Sequence, residues 1–162
     1  MIFIRTASDA EIETIVNLIN AAFRVEAFFV YGDRTDSETV RGQFKSGKFL
    51  VAENGGIPVG CVYVELRGES GYFGLLSVDP VRQRSGIGKQ LVDAAEDYFR
   101  EAGCRVSELL AVNVREELVP YYRKLGYVES GTAPFPADVK TKIPCHFVKM
   151  SKPISSSKIK RA

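Results

Sequence analysis

The residues with the clearest chemical potential lie between Val78 and Lys89, where the chain reads Val-Asp-Pro-Val-Arg-Gln-Arg-Ser-Gly-Ile-Gly-Lys. An apolar run stops at Asp79-Pro80, and a long amphipathic run opens on two glycines. Amides at a helix start have no intrahelical acceptor, and the helix dipole adds partial positive charge there. Glycines let an anion approach the main chain closely, while Arg82, Arg84 and Lys89 add full charges. The chemistry this arrangement suits is the binding of a phosphate or pyrophosphate.

Spacing narrows the choice. A Walker loop needs Gly five residues before Gly88 and Ser or Thr after Lys89, and those positions hold Gln83 and Gln90. A dinucleotide fingerprint needs a third glycine where Leu91 stands. The pattern present is Gln-x-x-Gly-x-Gly after a strand ending Val-Asp-Pro. It resembles the acyl-CoA-binding motif of the GNAT superfamily of N-acyltransferases. A second segment, Pro120-Tyr121-Tyr122-Arg123-Lys124-Leu125-Gly126-Tyr127, is similar to that family's aromatic-Tyr-x-Lys-Leu-Gly-aromatic stretch. The resemblance covers residues 2–150, and the two motifs together, in this order, carry it.

The resemblance implies acetyl-CoA as co-substrate, no metal, and an enzyme that passes the acetyl group directly to a primary amine. CoA is then expected in a cleft between two splayed parallel strands, those ending at Val78 and Asn113. Leu76, Ser77 and Val78 are expected to meet the pantetheine arm through main chain, in the manner of an added strand. Gln83, Arg84, Ser85, Gly86, Ile87, Gly88 and Lys89 are expected around the pyrophosphate. Where the family often has Asn seven residues before the tyrosine, this chain has Arg115, with Asn113 close by as a candidate cofactor contact. A main-chain N–H near Leu76 would serve the oxyanion.

Tyr122 matches the family tyrosine that protonates the leaving thiolate. The plain alternative is a core aromatic, a role that suits Tyr121 at least as well. Glu65 shares a strand face with Cys61 and Tyr63 and is a candidate base, set against a solvated strand-end carboxylate. His146, the one histidine, reads as a packed strand residue. Phe28, Phe29, Tyr31 and Arg34, in an aromatic-rich segment at 24–36, are expected to wall an apolar or anionic acceptor together with Pro134-Phe135-Pro136. Ordinary loop packing is the alternative for them.

The elements that must position these residues follow from periodicity. Residues 2–5 read as a strand. Ile12, Ile15, Val16, Ile19 and Phe23 mark one face of a helix over 10–22, capped by Ser8 or Asp9. A second short helix follows Asp36/Ser37 and ends near Gly47. Lys48–Glu53 and Ile57–Leu66 flank the hairpin signal Asn54-Gly55-Gly56, and Tyr72–Val78 continues the run of strands. Leu91, Val92, Ala95, Tyr98, Phe99 and Ala102 stripe a helix over Gly86–Ala102, closed by Gly103. Ser107–Val112 is a strand, 116–125 a helix, and Tyr127–Glu129 and Cys145–Met150 two strands around a loop at 131–144. The fold class is α/β, an α+β mixed sheet in the order β-α-α-β-β-β-α-β-α-β-β, with helices on both faces and one right-handed parallel crossover.

Composition sets the outer bounds. With 162 residues, 45% apolar and 26% charged, the chain is one domain able to bury its own core. The domain is expected over 1–151, with a Ser- and Lys-rich disordered tail from Lys152. A net charge of +2 is too weak to argue for nucleic acid. Cys61, Cys104 and Cys145 are dispersed and odd in number, which suggests neither a disulfide framework nor a zinc site. No signal peptide or membrane span is read, so the expected place is the cytoplasm. The expected partner is a small-molecule or peptide amine, with no nucleic acid and no membrane, and a homodimer is allowed. Two other functions stay open: a non-catalytic acetyl-CoA-binding module, and a transferase that uses another acyl-CoA.

Overall fold

A computed structural model describes residues 1–155. Seven strands form one sheet in the order β1-β2-β3-β4-β5-β7-β6. They are β1 (Ile2–Thr6), β2 (Lys48–Asn54), β3 (Ile57–Arg67), β4 (Ser70–Val78), β5 (Val106–Val112), β6 (Val128–Pro134) and β7 (His146–Pro153). The helices are α1 (Ile12–Ala22), α2 (Ser37–Ser46), α3 (Ile87–Glu101) and α4 (Leu118–Lys124). Neighbouring strands run antiparallel except β4 and β5, which are parallel. The element order is the one periodicity predicts.

Each face of the sheet buries its own cluster. Ile12, Ile15, Val16 and Ile19 of α1 are buried with Val40 of α2 against Phe49, Val51, Cys61 and Tyr63. On the other face Leu91, Val92, Ala95 and Phe99 of α3 pack on Val62, Val64, Phe73 and Leu109. Strand alternation sends Cys61 and Tyr63 to one side and Val62 and Val64 to the other. The Asp36 carboxylate caps α2 by accepting from the Thr39 N–H at 2.8 Å.

Three predicted boundaries change. The predicted disordered tail from Lys152 instead begins as strand: Lys152 and Pro153 finish β7 opposite Ser107 and Val106, and Ile154 is buried. Composition there reads as a solvated terminus, but the Lys152 stem packs inward and its ammonium finds buried acceptors. The remainder of the predicted tail, 156–162, lies outside the described residues. The loop predicted over 131–144 is shorter, because β6 bulges between Glu129 and Gly131 and pairs on to Pro134. The segment after α1 is ordered: Phe23–Phe28 form a 3-10 turn, and Val30 bridges Thr141.

The feature that matters for function is the partial pairing of β4 with β5. They pair at Ser70, Gly71 and Tyr72 only. Beyond Tyr72, β5 continues along β7 as far as Val112, while β4 continues along β3 as far as Val78. The two parallel strands therefore separate, and the edge of β4 that faces β5 is open from Phe73 onward.

Candidate active site

A β-bulge lies on the open edge. Between the pairs Cys61↔Ser77 and Tyr63↔Gly74, β4 carries one residue more than β3. Leu75 absorbs the extra residue with a φ of 55°, a left-handed conformation that a leucine rarely adopts. A bulge interrupts the ladder and bends its strand, and Leu75 and Leu76 both line the cavity beside it.

Past Val78, Asp79 caps the turn Pro80–Arg82 by accepting from the Val81 N–H at 3.1 Å. Arg84 then takes a φ of 69° and Gly86 one of 86°. For Arg84 this costs roughly 1–2 kcal/mol, and strain of that kind concentrates where the backbone is arranged for a ligand. The first intrahelical bond of α3 runs from the Gln90 N–H to the Gly86 oxygen at 3.1 Å, which leaves the amides of Ile87, Gly88 and Lys89 at the open helix end. Gly88 serves a second purpose: a Cβ there would lie 2.9 Å from the Tyr121 hydroxyl. The two sequence motifs therefore meet here, and a side chain at 88 would displace the Tyr121 hydroxyl.

One cavity of about 1120 Å³ joins this helix end to the far side of the splay. Leu76, Val78, Gln83, Arg84, Gly86, Ile87, Gly88 and Lys89 line one end of it. Glu65, Tyr31 and Arg34 line the other, with Tyr121 and Tyr122 between. Gln83 also donates to the Val78 oxygen at 3.3 Å, and Lys89 pairs with Asp93 at 2.9 Å.

Five predicted residues, Ser77, Ser85, Asn113, Phe28 and Phe29, do not line the cavity, and the side-chain bonds of Ser77 and Ser85 leave the main-chain contacts expected of them untouched. Ser77 is buried and donates to the Leu75 oxygen at 2.9 Å, which steadies the bulge. Ser85 turns back to the Arg82 oxygen. Asn113 accepts from the His146 N–H at 2.8 Å and anchors the start of β7. Phe29 is fully buried in a T-shaped contact with Phe28, and neither ring lines the cavity. His146 holds its strand position but is exposed rather than packed. The tyrosine pair also departs from the reading that gives Tyr121 the core role. Tyr122 is the buried ring, among Phe73, Tyr121 and Tyr127, while Tyr121 is 38% exposed.

Tyr122 nevertheless opens on the cavity, and its hydroxyl has no hydrogen-bond partner among the described residues. Burial pushes its pKa up, so it is a protonated donor at any neutral pH. Glu65 accepts from the Tyr63 hydroxyl and from Arg67 Nε, both at 2.6 Å. These bonds, Tyr63 first, hold its pKa below the usual carboxylate value. Glu26, which sequence reasoning missed, lines the same wall and is buried. Desolvation raises its pKa, and the Arg115 Nη1 bond at 3.1 Å opposes that rise. The available signal was a glutamate inside the apolar run Val25-Glu26-Ala27-Phe28. Its partner lies 89 residues away, beyond any local pattern. Cys61 is fully buried, and burial pushes its thiol up to about 12, which rules against a thiolate nucleophile.

A splayed parallel pair, an open helix end and a tyrosine thus line one cavity. Residues 6–152 match the model of the acetyltransferase (GNAT) domain, and the chain belongs to that family. It is 31% identical over 86 residues to an IAA acetyltransferase of Azospirillum brasilense, which is 52% of this chain and 56% of that protein. The match thus spans little more than half of the relative's length. Among solved structures, the ribosomal-protein-S18-alanine N-acetyltransferase of Escherichia coli superposes with a TM-score of 0.76 at 15% identity, over 100% of this chain and 99% of that one. The PaiA N-acetyltransferase of Thermoplasma acidophilum, solved in complex with coenzyme A, gives 0.77 at 16%, over 95% and 99%. At these identities the likeness carries the fold.

Proposed function

We propose that the protein is an acetyl-CoA-dependent N-acetyltransferase that moves the acetyl group directly to a primary amine. The observation that carries this reading is the open edge of β4 between its pairing with β5 and the amides of α3, with Tyr122 facing the same space. The pyrophosphate would rest on the main chain of Arg84 to Lys89, and the pantetheine arm would extend the sheet along Leu76 and Val78. The site residues fit such a molecule: a turn with two left-handed residues and unpaired helix amides is a built anion cradle. The acceptor would enter from the Arg34 end as a small-molecule or peptide amine.

In the reaction the neutral amine nitrogen bonds to the acetyl carbonyl carbon, giving a tetrahedral oxyanion. Main-chain N–H at the Leu75–Leu76 bulge would stabilise it. The carbon–sulfur bond then breaks, and the CoA sulfur takes the Tyr122 proton. The amine loses a proton to a wall carboxylate or to water, and solvent restores the tyrosine. Among the wall carboxylates, Glu65 is held below its usual pKa and is a weak proton acceptor, whereas Glu26 is pushed up and is the better one. A longer acyl-CoA would use the same main-chain contacts, and a sensor of acetyl-CoA would need no proton donor at 122.

The test is thiol release from acetyl-CoA with a panel of amines, with mass spectrometry of the products. We expect N-acetylated product from wild type. Tyr122→Phe should turn over roughly 10²-fold more slowly with CoA affinity unchanged, since the hydroxyl acts mainly in the transition state. Thiol release that is equally fast in Tyr122→Phe would remove that hydroxyl from the mechanism. CoA binding with no transfer to any amine would favour the sensor.

A further inference from the structure

Charge around the acceptor end of the cavity is unevenly satisfied. Glu65 is occupied by Tyr63 and Arg67. Glu26 and Glu117 are both occupied by Arg115, at 3.1 Å each. Arg34 differs. Its guanidinium stacks 5.4 Å from the Phe23 ring centroid, yet it donates no hydrogen bond and makes no ion pair among the described residues. Asp33, the exposed wall carboxylate next to it, does not pair with it either. Stacking on an aromatic face holds the planar fork in place without spending its donors.

Two further donors face the same space. The Tyr72 hydroxyl has no hydrogen-bond partner among the described residues, and its ring lines the cavity. Arg67 lies 4.1 Å over that ring and spends only Nε, on Glu65. Both Arg34 and Arg67 act electrostatically on the Tyr72 hydroxyl, and each lowers its pKa against the larger effect of burial. The wall thus carries the unspent fork of Arg34 and the Tyr72 hydroxyl beside the apolar rings of Phe135 and Phe147, and its unspent acceptors include the exposed Asp33 carboxylate and the buried Gln43 Oε1.

We infer that the acceptor is a small amine that also carries a carboxylate, and that Arg34, seated on Phe23 in the same cavity wall as Tyr72, binds that carboxylate. The inference rests on the acyltransfer reading and adds the chemical class of its acceptor. A guanidinium fork matches a carboxylate in two parallel bonds. It fixes the acceptor at the rim, so that the amine end reaches the splay. A charge-assisted bond of this kind corresponds to roughly 10–100-fold in affinity.

The experiment compares the twenty L-amino acids with their carboxamides, in the presence of saturating acetyl-CoA, and reads thiol release. In parallel, saturation-transfer NMR reads binding of the same compounds to the CoA-bound protein. The best acid should beat its amide by about 10–100-fold, mainly in KM. In Arg34→Met that ratio should fall to about one with CoA affinity intact, and Arg34→Lys should retain part of it. Amides that match acids in wild type, or a ratio that survives Arg34→Met, would overturn the inference. If none of these compounds is acetylated, the transferase reading stands or falls on the wider amine panel, and NMR still decides this one: binding of acids over amides that depends on Arg34 supports it, and indifferent binding or none overturns it.

Discussion

Two clusters of polar side chains flank the sheet, and they are built on opposite plans. Beneath α3, the Glu96 carboxylate is 3% exposed and accepts from Lys152 at 3.0 and 3.2 Å, from the Tyr127 hydroxyl at 2.8 Å and from Arg100 at 3.4 Å. Ser107 donates in turn to the Tyr127 oxygen at 2.7 Å. The third Lys152 donor caps α4 at the Leu125 oxygen, 3.0 Å away. Every strong donor and acceptor there is spent. Beside α1, at the proposed acceptor end, Arg34 stacks on Phe23 and Tyr72 lies under Arg67, yet neither the Arg34 guanidinium nor the Tyr72 hydroxyl makes a hydrogen bond among the described residues. A satisfied network fixes structure, whereas unspent donors on a cavity wall await a ligand.

The comparison breaks most visibly on stability. Lys152→Met strips the main counter-charge from a buried carboxylate. Losing one partner of such a pair costs about 3 kcal/mol, the low end of the usual range, because Arg100 remains at 3.4 Å. Denaturant midpoints should show that drop for Lys152→Met and almost none for Arg34→Met. Equal midpoints would mean that the Glu96 network is not structural, and a large loss in Arg34→Met would mean that its arginine is spent after all.

A smaller effect sharpens the comparison within the cavity wall. Glu26 has a raised pKa from desolvation and Glu65 a lowered one from its hydrogen bonds. If Glu26 takes the amine proton, it must be ionised, so kcat/KM rises with pH through its raised pKa. Glu26→Gln should abolish that limb and lower the rate roughly 10-fold, near the bottom of general-base contributions. Glu65→Gln should leave the limb in place. The same shift has a sign for stability: a carboxyl raised in the folded state favours folding at lower pH, and that contribution is lost as pH rises through the folded pKa. A limb that follows Glu65 instead would reverse the assignment.

The scaffold was legible because its signals are local. The α1 stripe, the Asn54-Gly55-Gly56 hairpin and the α3 stripe each declare themselves within a dozen residues, and each forms, although α1 starts at Ile12 after a 3-10 turn and neither Ser8 nor Asp9 caps it through its side chain. The Gly-rich turn was legible for the same reason. Side-chain direction was not. Tyr121 and Tyr122 are adjacent, and whether α4 buries the first or the second depends on how it lies against Phe73 and Tyr127. The bulge at Leu75 leaves no mark in a run of apolar residues, although it re-aims the strand edge. Glu26 with Arg115, and Glu96 with Lys152, are pairs that only the folded chain brings together.

The proposed function requires that an anion of the co-substrate sit against the turn at Gly86. A residue there must tolerate a φ of 86°, and a side chain at that position would point into open space. Asn tolerates left-handed backbone and has the shape of Asp without its charge. The most direct measurement is therefore calorimetric titration of CoA into Gly86→Asp and Gly86→Asn. Both variants bear a similar backbone cost, so their difference reports charge. The account predicts that Gly86→Asp binds CoA at least about 10-fold more weakly than Gly86→Asn, as expected for like charges in contact at a partly screened site. Equal affinities in the two variants would contradict it and place the pyrophosphate elsewhere.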